Sequence, residues 1–432
     1  MPAKNPMVAT LSAGAVLAGV ALSATSAVAQ GLEVSAEVSA EVRYFADGPL
    51  YAGQLDRWQP SFVFEPEILW SNEDGKHQVA ILPFYRGDTR DEEREHFDLR
   101  EAYYRFNSDN DWSVTLGLAK VFWGRTESRH LVDIINQTDA VEDIDEEDKL
   151  GQPMVHFNVL KGWGTLDFFL MTGFRDRTFP GRDGRLRFEL VVDTDDPIFE
   201  RDGRRAAPDF AARYSHYVGS WDFGVSVFHG TSREPRFAID QAGGRIRPVY
   251  DLITQGSIDV QYTKDAWLWK AEAIVREGHG RTFFAGVGGF EYTLYQVLGT
   301  GADLGLLTEY QYDDRQDGIV VEDFGAENAA LFPGGPPAGT AVIAAPITVA
   351  DNDVFMGARL ALNDLQETTL LVGGTIDVAD QSTGMFVEAE RRLGEDWAVE
   401  LQARLFLNAD PDNFLFVFRE DDFLNLRVTR YF

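Results

Sequence analysis

The sequence predicts an all-β chain, a transmembrane antiparallel β-barrel of about 18 strands, with 16 as the alternative count. Three observations carry this. The chain opens on an export signal and has no later apolar stretch long enough for a spanning helix. It repeats period-two segments almost to its last residue. Short and long connections alternate between those segments.

The signal is read from residues 1–29. Lys4 supplies the positive start, Val8 to Leu22 the small apolar stretch, and Ala27-Val28-Ala29 the small-residue cleavage site. The chain from Gln30 to Phe432 is then the exported part. Bilayer hydrocarbon tolerates only helices or closed barrels, because it cannot satisfy an open sheet edge. An exported chain without a spanning helix is therefore either soluble or a closed barrel.

Composition removes other classes. There are 39 basic against 70 acidic residues, a net charge of −31, which excludes a general nucleic-acid binder. With no cysteine, disulfide frameworks, thiolate metal sites and cysteine nucleophiles are excluded. At 44% apolar and 12% aromatic, the chain is too hydrophobic for disorder.

The strands follow in order. Leu32, Val34, Ala36, Val38, Ala40, Val42 and Tyr44 share one face; Glu33, Ser35, Glu37, Ser39, Glu41 and Arg43 share the other. The same alternation places Phe62, Phe64, Pro66, Ile68 and Trp70 together, then Trp112, Val114, Leu116 and Leu118, then Leu166, Phe168 and Leu170. Further on come Trp221, Phe223, Val225 and Val227; Trp267, Trp269, Ala271 and Ala273; Leu304, Leu306, Thr308 and Tyr310. Trp397, Val399, Leu401, Ala403, Leu405 and Leu407 precede a last strand with Leu424, Leu426, Val428, Arg430 and Phe432 on one face. In residues 97–106 both faces carry charge, so that segment has no clear phase.

Polar turns are expected near 72–76, 108–111, 161–163, 218–220, 263–266, 363–367 and 394–396. Longer loops are expected near 46–59, 88–96, 123–152, 175–207, 231–249 and 313–350. Short periplasmic turns and long extracellular loops give this rhythm in barrels. Trp112, Trp163, Trp221, Trp267 and Trp397 follow short turns, and Trp70 precedes one. Tryptophan prefers the headgroup level, so these six mark an aromatic girdle at the periplasmic end.

The terminal strand resembles the last strand of Gram-negative outer-membrane barrels, which commonly ends in Phe and serves as an assembly signal. Phe432 fits; Arg430 departs from the usual apolar residue third from the end. Leu99-Arg100-Glu101-Ala102-Tyr103 and the run Gly117 to Gly124 are similar to a strand–turn–strand of substrate-selective and export porins. The resemblance to a single-chain porin implies outer-membrane lipid, lipopolysaccharide and the barrel-assembly machinery as partners, and small hydrophilic solutes as cargo. It leaves the oligomeric state open.

The wet faces give the expected lumen. Its acids are Glu33, Glu37, Glu41, Glu65, Glu67, Asp167, Asp222, Asp259, Glu272, Glu291, Asp303, Glu309, Asp377, Glu388, Glu390 and Glu400. Its bases are Arg43, Arg86, Lys270, Arg276, Arg359, Arg392, Arg404 and Arg427. Such a face implies water inside, because charge facing lipid costs about 2–4 kcal/mol for Arg or Lys.

The third long loop holds Asp139, Glu142, Asp143, Asp145, Glu146, Glu147 and Asp148. In general porins the third loop folds inward, so the resemblance makes these constriction candidates. The fourth holds Arg175, Arg177, Arg182, Arg185 and Arg187, with Arg201, Arg204 and Arg205 beyond. Acids facing arginines would orient dipolar solutes. The acidic run lacks the glycine of an EF-hand loop, so no metal is assigned. Residues 325–350, rich in Gly, Ala and Pro, suit either an outer loop or a lid.

No catalytic group emerges. Ser128 and His130 are near in sequence, beside Glu127, but lack the glycines of a nucleophile elbow. The run Gly286-Val287-Gly288-Gly289 sits in a strand and suits barrel curvature better than phosphate binding. The expected function is a cofactor-free, weakly cation-preferring diffusion channel. The alternative is a plugged barrel for binding, adhesion or structure.

Overall fold

The computed structural model describes residues 31–240, 243–315, 320–323, 339–348 and 350–432. The expected export signal and part of the loop at 313–350 lie outside the described residues.

Eighteen strands close into one antiparallel barrel. They are β1 (Leu32–Phe45), β2 (Trp58–Ser71), β3 (His77–Asp88), β4 (His96–Asn107), β5 (Trp112–Ala119) and β6 (Gln152–Lys161). Then come β7 (Gly164–Met171), β8 (Asp209–Val218), β9 (Trp221–Thr231), β10 (Leu252–Lys264), β11 (Trp267–His279) and β12 (Arg281–Leu294). The last are β13 (Asp303–Asp313), β14 (Asn352–Ala361), β15 (Thr369–Asp377), β16 (Thr383–Leu393), β17 (Trp397–Leu407) and β18 (Phe423–Tyr431). Each pairs with its sequence neighbours, and β1 pairs with β18 from Glu37↔Tyr431 to Phe45↔Phe423. Closure leaves no edge unpaired.

Period two decides which side chain faces where. On β1, Ser39, Glu41, Arg43 and Phe45 are buried inside, while the valines and alanines between them face outward. Val225, Val227, Trp269, Leu306, Leu401 and Leu424 are exposed on the outer surface. That surface is apolar, and the polar face is the inner one.

The unphased segment 97–106 has a structural cause. Leu82 pairs with Glu101, but Pro83 pairs with Leu99, so Arg100 is an extra residue on β4. A bulge of one residue flips the alternation. Asp98 and Arg100 are both inside, at 7% exposure, while Phe97 is 69% exposed on the outer face. Beyond the bulge Tyr103 packs inside and Tyr104 faces out. Pro83 sits at the bulge, where its missing N–H costs the ladder least.

Turns connect the strands at one end, at 72–76, 108–111, 162–163, 219–220, 265–266, 295–302, 362–368 and 394–396. The turn at 295–302, containing a short 3-10 segment, is missing from the expected turns although it holds Gly299 and Gly301. The opposite end is less regular than the spacing predicts. Gly280 alone joins β11 to β12, residues 378–382 join β15 to β16, and a longer segment, 408–422, joins β17 to β18.

The large loops are folded. Short strands at Val191–Val192, Ile198–Phe199, Arg236–Asp240, Arg245–Tyr250, Val321–Asp323 and Ala341–Ile343 form a second, six-stranded sheet at the loop end. Phe179, Val192, Phe237, Ile246 and Ile343 form one of its apolar clusters. Thus, of the expected loop or lid at 325–350, Ala341–Ile343 is strand and pairs with Ala238 and Ile239.

Purified chain in detergent is expected to give β-rich circular dichroism and a heat-modifiable band on unheated gels. A water-soluble monomer that needs no detergent would overturn the outward apolar belt.

Candidate functional site

The third loop, residues 120–151, runs inside the barrel, and two wall carboxylates hold its backbone. Glu272 on β11 accepts the N–H groups of Arg125 (2.6 Å), Thr126 (3.1 Å) and Val132 (3.2 Å). Glu309 on β13 accepts those of Glu127 (2.9 Å) and Ser128 (2.8 Å), and the Ser128 hydroxyl (2.6 Å). A loop inside a barrel has no strand partner, so its N–H groups need such acceptors. Arg125 reaches Asp259 (3.1 Å) and Asp222 (2.9 Å). Arg213 also binds Asp259, and Gly224 makes room for that pair: a Cβ there would lie 2.2 Å from Arg213 and 2.4 Å from Asp259.

An apolar rib seals this side. Leu131, Val132, Ile134 and Ile135 pack with Met154, Phe169, Phe228, Ile253 and Ile274 of the wall. Each such fully buried side chain contributes about 1.5–3 kcal/mol. Trp123 packs edge-on against Phe169, with the Arg213 guanidinium over its ring. This tryptophan is inside the barrel and takes no part in a girdle.

The other flank is ionic. Glu142 binds Arg86 on β3, whose guanidinium also reaches Glu41 (3.2 Å) and Ser61 (2.9 Å). Arg94 completes the group through Glu41 (2.8 Å) and Asp88 (2.9 Å). Arg43 donates to the Glu142 carbonyl (3.2 Å). Asp139 accepts from Arg100 (2.5 Å) and Thr178 (2.6 Å). Burial alone would raise the Asp139 pKa, but His96, Arg100 and Thr178 outweigh it and hold this carboxyl well below the usual range.

Between the flanks the loop meets a strip of wall directly. Glu127 binds Arg359 on β14 and lies 3.7 Å from Lys270. Asp143 accepts from Gln402 (2.6 Å) and Asp145 from Arg404 (2.6 Å), both on β17. Arg404 also reaches Glu388 (3.1 Å). The side chains of Arg359 and Glu388 are 38% and 41% exposed, so this strip is wet.

Asp145 to Asp148 are exposed on the loop, within the ring of barrel strands. Enclosure, then the Asp143 charge, raises Asp145 well above an ordinary carboxyl. Enclosure followed by Glu388 and Glu127 raises Glu147. Enclosure followed by Glu142 raises Asp148 to about 6. Asp143 and Glu146 move the other way, because Arg404 and Arg43 hold the first and Arg177 the second.

The two predicted loop charges do not face each other as sets. Only Arg177 meets the acidic run, at Glu146 (2.6 Å). Arg175 turns to Asp98 (2.6 Å) on the wall. Arg185 is buried on Asp421 (2.5 Å) and the carbonyls of Asp56 and Glu420. Arg187 donates to the carbonyls of Arg182, Phe188 and Glu189, and the Arg182 side chain packs by Gly53. These arginines knit the fourth loop to the first and last loops, whose carbonyls are near. Wall arginines take the acids instead. Arg276 binds Gln255 (2.7 Å) and Glu234 of the fifth loop (3.0 Å).

Lower on the wall the acids lose their partners. Glu390 lies directly opposite Glu400, and Glu37 opposite Glu65. Among the described residues, Glu37, Glu65, Glu67 and Glu390 have no ion-pair partner, and Glu400 has only Arg427 at 3.7 Å. The alternation exposed this track, but the hub of Arg94, Asp98 and Arg100 was hidden by the bulge and by a loop position.

The remaining candidates are simply placed. Trp70, Trp112, Trp163, Trp221, Trp267 and Trp397 lie at the turn end, with Trp221 against Tyr262 and Trp267 against Tyr292. The Phe432 N–H donates to the Ala36 carbonyl (2.9 Å). Ser128 is engaged by Glu309, and His130 packs edge-on against Phe122. Two groups could share a cation by proximity: His96, Asp139 and Glu142, and Asp351, Asp353 and Asp377. The first is already neutralised by Arg86 and Arg100.

Arg86→Met leaves Glu142 and part of Glu41 without their buried cation. A loss of about 3–5 kcal/mol is expected, read as a lower midpoint of unfolding in detergent. An unchanged midpoint would remove Arg86 from the support of the third loop.

No family model and no curated protein matches the chain. Solved structures do. A BenF-like porin from Pseudomonas fluorescens Pf-5 aligns over 93% of this chain and 98% of its own, with TM-score 0.51 and 8% identity. OccK11 (OpdR) of Pseudomonas aeruginosa aligns over 93% and 95%, with TM-score 0.50 and 9% identity. At such identities the likeness concerns fold alone. In fold, the chain is a closed 18-stranded barrel like those of outer-membrane porins.

Proposed function

We propose that the chain is an outer-membrane diffusion channel for small hydrophilic solutes and ions, with a weak preference for cations. One observation carries this reading: an acidic track runs from Glu147 through Glu390 to Glu37, Glu65 and Glu67, which have no ion-pair partner among the described residues, with Glu388 and Glu400 beside it, each touched by one arginine. Like charges directly opposite on paired strands are destabilising. Retaining two such pairs, Glu390 with Glu400 and Glu37 with Glu65, suits a wall that works through its field in water. In this reading the third loop narrows the lumen where it reaches the wall, through Glu127 with Arg359 and Asp145 with Arg404, and solutes pass beside these contacts. Preference then comes from the track below, since most third-loop acids are already paired.

The same reading orients the molecule. Residues 1–29 direct export, and the turn end with its six tryptophans faces the periplasm. Phe432 presents the last strand to the assembly machinery, and the loop end meets lipopolysaccharide. One observation favours a second reading, a plugged barrel serving binding or adhesion: the six-stranded sheet built by the fourth, fifth and seventh loops.

Planar-bilayer recording separates the two, since absence of channel steps would favour the plugged barrel. In a KCl gradient the reversal potential is expected to show cation preference, weakening as salt rises and screening shortens. Neutralising Glu388, Glu390 and Glu400 together to Gln should lower the cation-to-anion permeability ratio by about two-fold or more. An unchanged ratio would remove the track from selectivity.

The preference should also fall with pH. Asp145, Glu147 and Asp148 have raised pKa values, so they take protons before ordinary carboxyls do. Their negative charge is present at high pH and is lost as pH falls, for Asp148 through about 6. Reversal potentials between about pH 8 and 5 check the sign; a preference that grows on acidification would contradict it.

A further inference from the structure

Arg430, the residue that breaks the apolar pattern of the last strand, faces outward at the turn end of β18. Its guanidinium lies over the rings of Phe432 (4.6 Å) and Trp397 (5.5 Å). Among the described residues it has no carboxylate partner. Two strands away Arg391 also faces outward, 45% exposed, held by Asp364 (3.0 Å) and Thr368. The ladder places them on one rim: Arg391 opposes Val399, and Arg430 opposes Trp397 on the same strand, β17.

Directly loopward of Arg391 the outer surface has a groove. One row across the strands reads Leu360, Leu370, Ala389, Leu401 and Leu426. Ala389 is the one small residue in that row. Leu360, Leu362, Leu370, Ala389, Val399 and Leu401 line the notch it leaves, and Arg391 closes its rim. An apolar slot the width of one side chain, with Arg391 at its rim and Arg430 two strands along the same rim, is complementary to an acyl chain ending in a phosphate.

We propose that the outer face of β15–β18 binds an anionic phospholipid of the turn-side leaflet, with its phosphate at Arg430 and Arg391 and one acyl chain in the Ala389 groove. This rests on the outer-membrane reading above. Arginine suits the role, because its planar fork binds phosphate oxygens while its stem and face lie on aromatic rings. Trp397 and Phe432 set the guanidinium at headgroup depth.

The test uses full-length barrel in non-ionic detergent, with phosphatidylglycerol and phosphatidylethanolamine as probes and native mass spectrometry counting retained lipid. Wild-type barrel is expected to retain phosphatidylglycerol at least about five-fold better than phosphatidylethanolamine. Arg430→Gln with Arg391→Gln should abolish that preference. Ala389→Leu, which fills the slot and leaves both charges, should lower retention of both lipids. Competition by millimolar inorganic phosphate alone would mean a free-anion site and overturn the lipid assignment, as would equal retention by wild type and the double variant. Heat-modifiable mobility and bilayer conductance are measured on the same samples. A folded, conducting barrel without lipid preference would sink this inference alone, whereas loss of conductance in wild type would sink the channel reading.

Discussion

Closure of the hydrogen-bond ladder is the constraint on which the rest depends. β1 must meet β18 in register, and Glu37↔Tyr431 through Phe45↔Phe423 is where it does. Once the sheet closes, each strand has only an inside and an outside. The outside here is apolar, as hydrocarbon demands. Apart from rim residues such as Arg391 and Arg430, the charge on the strands is forced into one enclosed volume.

That enclosure explains the ionic lattice. Sixteen-odd wall acids cannot all stay unpaired, so the inner wall and the third loop neutralise one another. Glu41 takes Arg86, Arg94 and Arg427; Asp259 takes Arg125 and Arg213; Asp139 takes Arg100. Glu272 and Glu309 do something different, accepting backbone N–H groups of the loop. A carboxylate counted as pore charge in the sequence is thus a peg for the loop in the fold. The charge left over is concentrated on β1, β2, β16 and β17, which is where a field in the lumen would act.

The third loop is held in three chemically distinct ways: by wall carboxylates, by an apolar rib at Val132 to Ile135, and by arginines of β3, β4 and β17. Removing one leaves the others, so its position is over-determined. The fourth loop is built otherwise. Arg175 and Arg177 reach Asp98 and Glu146, but Arg185 and Arg187 bind carbonyls and Asp421, which fixes the loop end rather than the lumen.

The strand count, the inward and outward faces and the six turn-end tryptophans were legible in the sequence, because side-chain direction in a strand has period two and closure leaves no other choice. The bulge at Arg100 defeated that rule, since one extra residue inverts every later face and leaves no local mark beyond Pro83. Which acids are neutral and which are free was equally beyond the sequence. Glu272 and Glu390 sit on wet faces of similar strands, yet one is capped by three N–H groups and the other faces Glu400. Charge pairing is decided by partners far apart in the chain, such as Glu127 with Arg359 or Asp145 with Arg404, and only the closed barrel brings those together.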